Sequence, residues 1–225
     1  MSPFMPLERS TLASPAWFVP FDDFTRRVRS AGVKIQLDRL DDDVWSPLDI
    51  EAIRTPSGCF AYPGLGRPDG PRYRARFTAT GYQPLYPADG EPFSADVIGV
   101  QFQVPPPAVA TQPRLVRLLP GVSFPYAPGI RTVHGFVRRP GTTTPVANAL
   151  VEARGQTFHD RVPWLERTLT DPTGAFRLAL RWDGERTDEE TFRLQATERP
   201  GRAGELVVRL PRDAGRSQVI EIPEQ

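Results

Sequence analysis

Metal-binding and redox-active side chains are scarce in this chain of 225 residues. It has one cysteine, Cys59, and two histidines, His134 and His159. A lone cysteine closes no disulfide within the chain. Three such ligands with no close-spaced pair do not make a structural zinc site. Lysine is almost missing too: Lys34 stands alone, and arginine supplies 27 of the 28 basic residues. Asn148 is the only asparagine. We read this as a GC-rich coding bias, because a net charge of +1 gives no overall pull toward nucleic acid or an anionic membrane. No run approaches the roughly 18 apolar residues of a membrane span. The N-terminus lacks the basic segment and apolar core of a secretory signal. The expected compartment is therefore the cytoplasm, or a particle assembled there.

Proline and glycine are abundant instead. The 26 prolines and 18 glycines make up about a fifth of the chain, and this punctuation favours short strands joined by turns over long helices. Hydrophobic residues at 39% and charged residues at 24% are ordinary for a soluble globular protein.

Residues 1–30 form an aromatic-rich arm with Phe4, Trp17, Phe18, Phe21 and Phe24 set among prolines. The i, i+3, i+7 spacing of Phe21, Phe24 and Val28 predicts a short helix after Pro20. Alternation predicts strands over 33–38, 48–54, 72–79 and 95–104. The Asp41-Asp42-Asp43 run reads as a solvated turn, without the ligand spacing of a calcium loop. Arg72, Arg74 and Arg76 share one face of a strand, which fits a solvated sheet face or an acidic partner better than a phosphate ladder. The Pro-rich stretch from Val104 is the expected domain boundary. After Thr132, seven short strand patterns follow in about ninety residues, the signature of a small antiparallel sandwich.

The halves share a phrase. Thr55-Pro56-Ser57-Gly58-Cys59-Phe60 lines up with Asp171-Pro172-Thr173-Gly174-Ala175-Phe176, and the segment from Tyr73 to Ala79 with that from Phe192 to Thr197, allowing for a gap. The expected fold is all-β: two tandem antiparallel β-sandwiches behind an N-terminal arm. The expected boundaries are 1–30 (arm), 31–104 (first sandwich), 105–129 (linker with a short strand) and 130–225 (second sandwich).

Val133-His134-Gly135-Phe136-Val137, the segment from Thr144 to Val151, and the segment from Thr170 to Leu178 together resemble the carboxypeptidase regulatory-like domain, a transthyretin-like (prealbumin-like) sandwich. The resemblance covers about 130–222, and the first half resembles a divergent second copy. It implies packing, display or adhesion, with no zinc ligands, no cofactor and no catalysis. The connector from Leu118 to Tyr126 is loosely similar to those of accessory proteins in phage-tail-like contractile injection systems. Transthyretin-related hydrolases share the fold, but the Ile222-Pro223-Glu224-Gln225 ending departs from theirs.

His159-Asp160 lacks a nucleophile in any recognisable motif, and no serine sits in G-x-S-x-G. Cys59 reads as a small buried residue, and Trp45, Trp164 and Trp182 as core residues more than a carbohydrate platform. The resulting expectation is a non-catalytic structural or adaptor subunit bound to other protein subunits, with Phe4, Trp17, Phe18, Phe21 and Phe24 as partner-binding residues. A carbohydrate- or protein-binding module is the alternative, and a transthyretin-related hydrolase the second. The ligand count generates one test. A chelator should leave the melting temperature unchanged, since a bound metal would stabilise by mass action; a drop on adding EDTA contradicts it.

Overall fold

The computed structural model describes residues 14–65, 70–104, 112–156, 162–181 and 190–224. Its strands are β1 (Trp17–Asp22), β2 (Arg27–Val28), β3 (Val33–Asp41), β4 (Val44–Leu48), β5 (Ile53–Arg54), β6 (Phe60–Ala61), β7 (Tyr73–Ala79), β8 (Tyr82–Leu85), β9 (Val100–Phe102) and β10 (Arg114–Pro120). They continue with β11 (Thr132–Arg138), β12 (Leu150–Gln156), β13 (Pro163–Leu169), β14 (Ala175–Ala179), β15 (Glu190–Arg199), β16 (Arg202–Leu210) and β17 (Ser217–Glu221). Among the described residues there is no helix, so none long and apolar enough to cross a membrane. The all-β expectation holds, and each of the seven strand patterns after Thr132 forms a strand.

Two units emerge from the pairing. In the first, β3 pairs with β4 and β7, and β7 with β8, all antiparallel. In the second, β12 pairs with β13 and β15, and β15 with β16, again all antiparallel. On the opposite side β1 lies parallel to β10 and antiparallel to β6, as β11 lies parallel to β17 and antiparallel to β14. The two units therefore share one strand order. The first unit adds β2, β5 and β9, and its β8 pairs with β10 to join it into a continuous sheet, whereas the second keeps a four-stranded and a three-stranded sheet.

The shared phrase has a shared geometry. Gly58 N donates to Thr55 O at 3.0 Å and Thr55 N to Cys59 O at 2.8 Å; Gly174 N donates to Asp171 O at 2.9 Å and Asp171 N to Ala175 O at 2.9 Å. Both glycines have positive φ, +86° and +77°, a region that side chains with a Cβ enter only at a cost. Each turn delivers a phenylalanine, Phe60 or Phe176, into the core of its unit.

The pairing redraws the expected boundaries. Trp17–Asp22 is not part of an arm but the central strand beside β10 and β6, and the predicted helix after Pro20 is replaced by a turn and β2. Arg114–Pro120 is the last strand of the first sandwich. The proline stretch at 105–111 lies outside the described residues, and it connects two strands of one sheet. The physical reason is that parallel pairing between residues about a hundred positions apart leaves no local trace. The units meet instead near 121–131.

Two other expectations shrink. Of the 48–54 pattern, only Leu48, at the end of β4, and Ile53–Arg54 are in ladders. Of 95–104, only Val100–Phe102 pairs, with β7. The Asp42-Asp43 pair is a two-residue hairpin turn with φ of +46° and +64°. Arg74 and Arg76 do not await an acidic partner: both fork onto Asp38 of β3, which is 1% exposed, at 2.7–2.9 Å. Burial alone would raise the Asp38 pKa, but the hydrogen bonds from Arg76 and Arg74 hold it below the ordinary value.

Gly135, from the motif that carries the resemblance, has a packing reason. A Cβ there would fall on the carbonyl oxygen of Gln218 in β17. Gly135→Ala should therefore force β11 from β17 and cost about 1–3 kcal/mol, the range for overpacking. A urea midpoint equal to the native protein's would contradict this.

Candidate functional site at the seam between the sandwiches

β1 ends at Asp22 and is followed by Asp23, two buried aspartates with separate tasks. Asp22 is 2% exposed. Its Oδ1 accepts from Phe24 N at 3.0 Å and Thr25 N at 3.1 Å, which fixes the turn, and its Oδ2 accepts from the Tyr82 hydroxyl at 2.7 Å. Burial, and then the bond to Asp22, push the Tyr82 phenol upward. Asp23, also 2% exposed, faces the second sandwich. It accepts from Arg26 at 3.0 Å, from Arg117 of β10 at 2.8 Å, and from Arg167 of β13 through both Nε and Nη2, at 3.0 and 2.7 Å. Arg117 also forks onto Asp89 at 2.7 and 2.6 Å. That bond outweighs burial and holds the Asp89 carboxyl low.

Around this hub lies a small apolar contact of Leu85 and Leu119 from the first unit with Leu150 and Leu169 from the second, bordered by Phe93. Hydrogen bonds to backbone carbonyls cross it, and Arg26 Nη2 donates to Leu165 O beside the hub. Thr168 Oγ1 donates to Pro120 O at 2.6 Å, Gln83 Nε2 to Thr170 O at 3.2 Å, and Ala95 N to Glu198 O at 2.7 Å. The last makes the 86–99 loop a strap from the first sandwich onto the second. Phe24, Phe124 and Tyr126 pack edge to face at 4.7–5.7 Å beneath the connector, and Arg177 lies over Tyr126.

The seam belongs to specific residues and not to the repeated fold. With the shared phrase aligned, Leu150 opposite Thr197 corresponds to Lys34 opposite Thr78. Leu150 is buried by the other unit; Lys34 is exposed. The sequence signal was the unbroken Ala149-Leu150-Val151, where a half-solvated strand would have placed a polar residue between the two core positions.

The expected partner-binding residues separate. Phe4 lies outside the described residues. Phe18 is 2% exposed and packs against Phe77, Phe102 and Tyr62 in its own core. Phe24 serves the aromatic cluster under the connector. Trp17 and Phe21 are half-buried on the outer face of β1, with Val19 between them. Cross-strand neighbours share a face. Leu115 beside Val19, Val28 beside Phe21, and Ile53 in the row of Trp17 and Ala61 therefore extend it, at 39%, 49% and 48% exposure. The second sandwich exposes Phe136 and Val219 at the ladder position matching Val19 and Leu115.

No catalytic constellation forms among the described residues, and no group of three His, Cys, Asp or Glu is placed to hold a metal there. His134 sits on an exposed sheet face, Cys59 is half-buried, and His159 and Asp160 lie outside the described residues. Trp164 is 7% exposed in the core, and Trp45 is half-buried under the Arg74 guanidinium; Trp182 lies outside the described residues.

No family model and no curated protein matches the chain. Among solved structures, the Streptococcal ancillary pilin is similar over 93% of this chain and 62% of that one, at 14% identity and a TM-score of 0.30. The chain thus spans less than two thirds of that protein's chain, and at this score the likeness carries no argument. The resemblance to the carboxypeptidase regulatory-like domain gains no family match; a β-sandwich is what stands.

Two outcomes follow from the seam. Arg167→Ala removes two charge-assisted hydrogen bonds from a buried carboxylate and should cost about 2–3 kcal/mol, seen in urea unfolding; a loss under about 0.5 kcal/mol contradicts it. Asp38, Asp89 and Glu198 all have lowered folded pKa values. Their contribution is complete above the unfolded carboxylate range near about pH 4 and is lost as pH falls through the folded values. Stability should therefore fall on acidification below about pH 4; a rise there contradicts the assignment.

Proposed function

We propose that this chain is a non-catalytic structural subunit that docks a protein partner on the outer face of its first sandwich. The observation that carries this reading is the row of Trp17, Val19 and Phe21, extended by Leu115, Val28 and Ile53. Contiguous apolar surface of this kind usually marks a contact, and a rigid sheet presents it without an ordering cost. The cores of both units fill without it, as Phe18, Phe60 and Phe176 exemplify. The internal pairing of Asp23 and Asp38 supports a scaffold role, because both buried carboxylates are spent on arginines of the chain itself. The assembly suggested by the sequence resemblance is a phage-tail-like contractile injection particle, assembled in the cytoplasm.

The test places a photo-cross-linking residue at Leu115, and at Val207 as a control, in cells that make the protein. One partner should be captured from position 115 and not from 207. Capture should fail for the Trp17→Ala, Phe21→Ala protein, whose fold is unchanged by circular dichroism. Each anchor should contribute about 2 kcal/mol or more to association. A sheath, tube or baseplate protein in the captured band supports the particle. Equal capture from both positions, or capture indifferent to the double substitution, contradicts the docking face.

A further inference from the structure

We infer that the arginine-lined cleft beside the Asp23 hub binds a phosphate-bearing small molecule. The cleft, of about 570 Å³, opens where the end of β12 and the start of β13 meet the turn between β1 and β2. Arg26 reaches it from the first sandwich, and Arg154 and Arg181 from the second. Among the described residues no acidic side chain lines it, and Pro163, Trp164 and Leu165 give it an apolar wall. This surface is separate from the face around Trp17, so the inference stands or falls apart from the docking reading.

Positive charge is left over here. Arg26, Arg117 and Arg167 share the single carboxylate of Asp23, and among the described residues only Arg117 of the three has a second, Asp89. The carboxylates that meet the cleft arginines lie behind its wall. Asp23, Glu166 and Glu152 have side chains 2%, 4% and 12% exposed, against 39%, 50% and 71% for their partners Arg26, Arg181 and Arg154. The pairing also leaves donors unspent, since each guanidinium carries several N–H groups in a fixed fork. Arg181 donates through Nε to Glu166, Arg154 makes one contact of 3.5 Å with Glu152, and Arg26 donates through Nη1 to Asp23 and Nη2 to Leu165 O. Arg26 holds its place with a left-handed φ of +59°, uncommon for a residue with a Cβ, and such outliers gather at ligand clamps. The geometry selects among anions. A carboxylate offers its oxygens in one plane and suits one guanidinium fork. Donors arriving from three separate elements suit the tetrahedral oxygens of a phosphate, for which arginine is the fitting side chain. The apolar wall has room for the body that carries the phosphate. A bound phosphate bridges Arg26 to Arg154 and Arg181, and so joins the two sandwiches.

Pyrophosphate serves as the probe, with succinate as an anion of planar carboxylates. Each is titrated into the full chain at low salt and followed by calorimetry and by the melting temperature. Pyrophosphate should bind one to one, raise the melting temperature by mass action, and bind at least about tenfold more tightly than succinate. Arg154→Ala should weaken it at least about tenfold in a protein whose circular dichroism is unchanged, since this side chain is exposed. Arg193→Ala, at an exposed arginine of β15 outside the cleft, should leave the affinity as it was. No saturable pyrophosphate binding, equal affinity for succinate, or equal responses to Arg154→Ala and Arg193→Ala would overturn the inference. Tighter binding of an aspartate-rich peptide, or of phosphatidic acid vesicles, than of pyrophosphate also overturns it and assigns the cleft to an acidic protein segment or a membrane surface.

Discussion

The Asp23 carboxylate, almost wholly removed from solvent, takes hydrogen bonds from arginines on both sandwiches, and the rest of the molecule is arranged to keep it there. A buried charge is tolerated only when paired and fully hydrogen-bonded. Arg26 and Arg117 meet part of that demand from the first unit and Arg167 from the second, so the ion cluster is completed only when the units are docked. The leucines at 85, 119, 150 and 169 add an apolar contact between the same two units, Leu119 and Leu169 standing two residues along the strands from Arg117 and Arg167. Apolar contact and ion cluster thus join the same pair of units, one through burial and the other through directed hydrogen bonds.

The two sandwiches repeat one pattern and differ in what surrounds it. The same strand order, the same Gly-centred turn and the same exposed ladder pair recur in both units. The seam does not recur. Where the second unit has Leu150 against its neighbour, the first has the solvated Lys34. The mode of contact that joins the units therefore has no apolar counterpart at that position on the first sandwich. Apolar side chains are exposed elsewhere, around Trp17 on the first sandwich and at Phe136 and Val219 on the second.

Much of the fold was legible from local pattern. Strand alternation located all seven strands of the second unit, and the Pro-x-Gly-x-Phe phrase located the shared turn, because both depend on residues close in sequence. The first unit was read less well because its β1 and β10 are partners about a hundred residues apart, and Pro20 sits inside β1. The spacing of Phe21, Phe24 and Val28 looked helical, yet in the structure they belong to a strand, a turn and the next strand. Of the proposed docking aromatics, period-two alternation along β1 would have separated Trp17 and Phe21 from the core residue Phe18. The arginines of β7 were visible, but their partner Asp38 comes from β3, and only the strand register brings them together. The seam left a fainter mark, the apolar Leu150 at a position where the alternation calls for a polar residue.

The central claim is that the seam makes the two sandwiches one rigid body. It is tested most directly by electron–electron distance measurement between spin labels at Gln101 in the first unit and Gln195 in the second, both exposed, with Cys59 replaced by serine. The account predicts a single narrow distance distribution that broadens when Asp23 is changed to alanine. A broad distribution in the protein with Asp23 intact would contradict it.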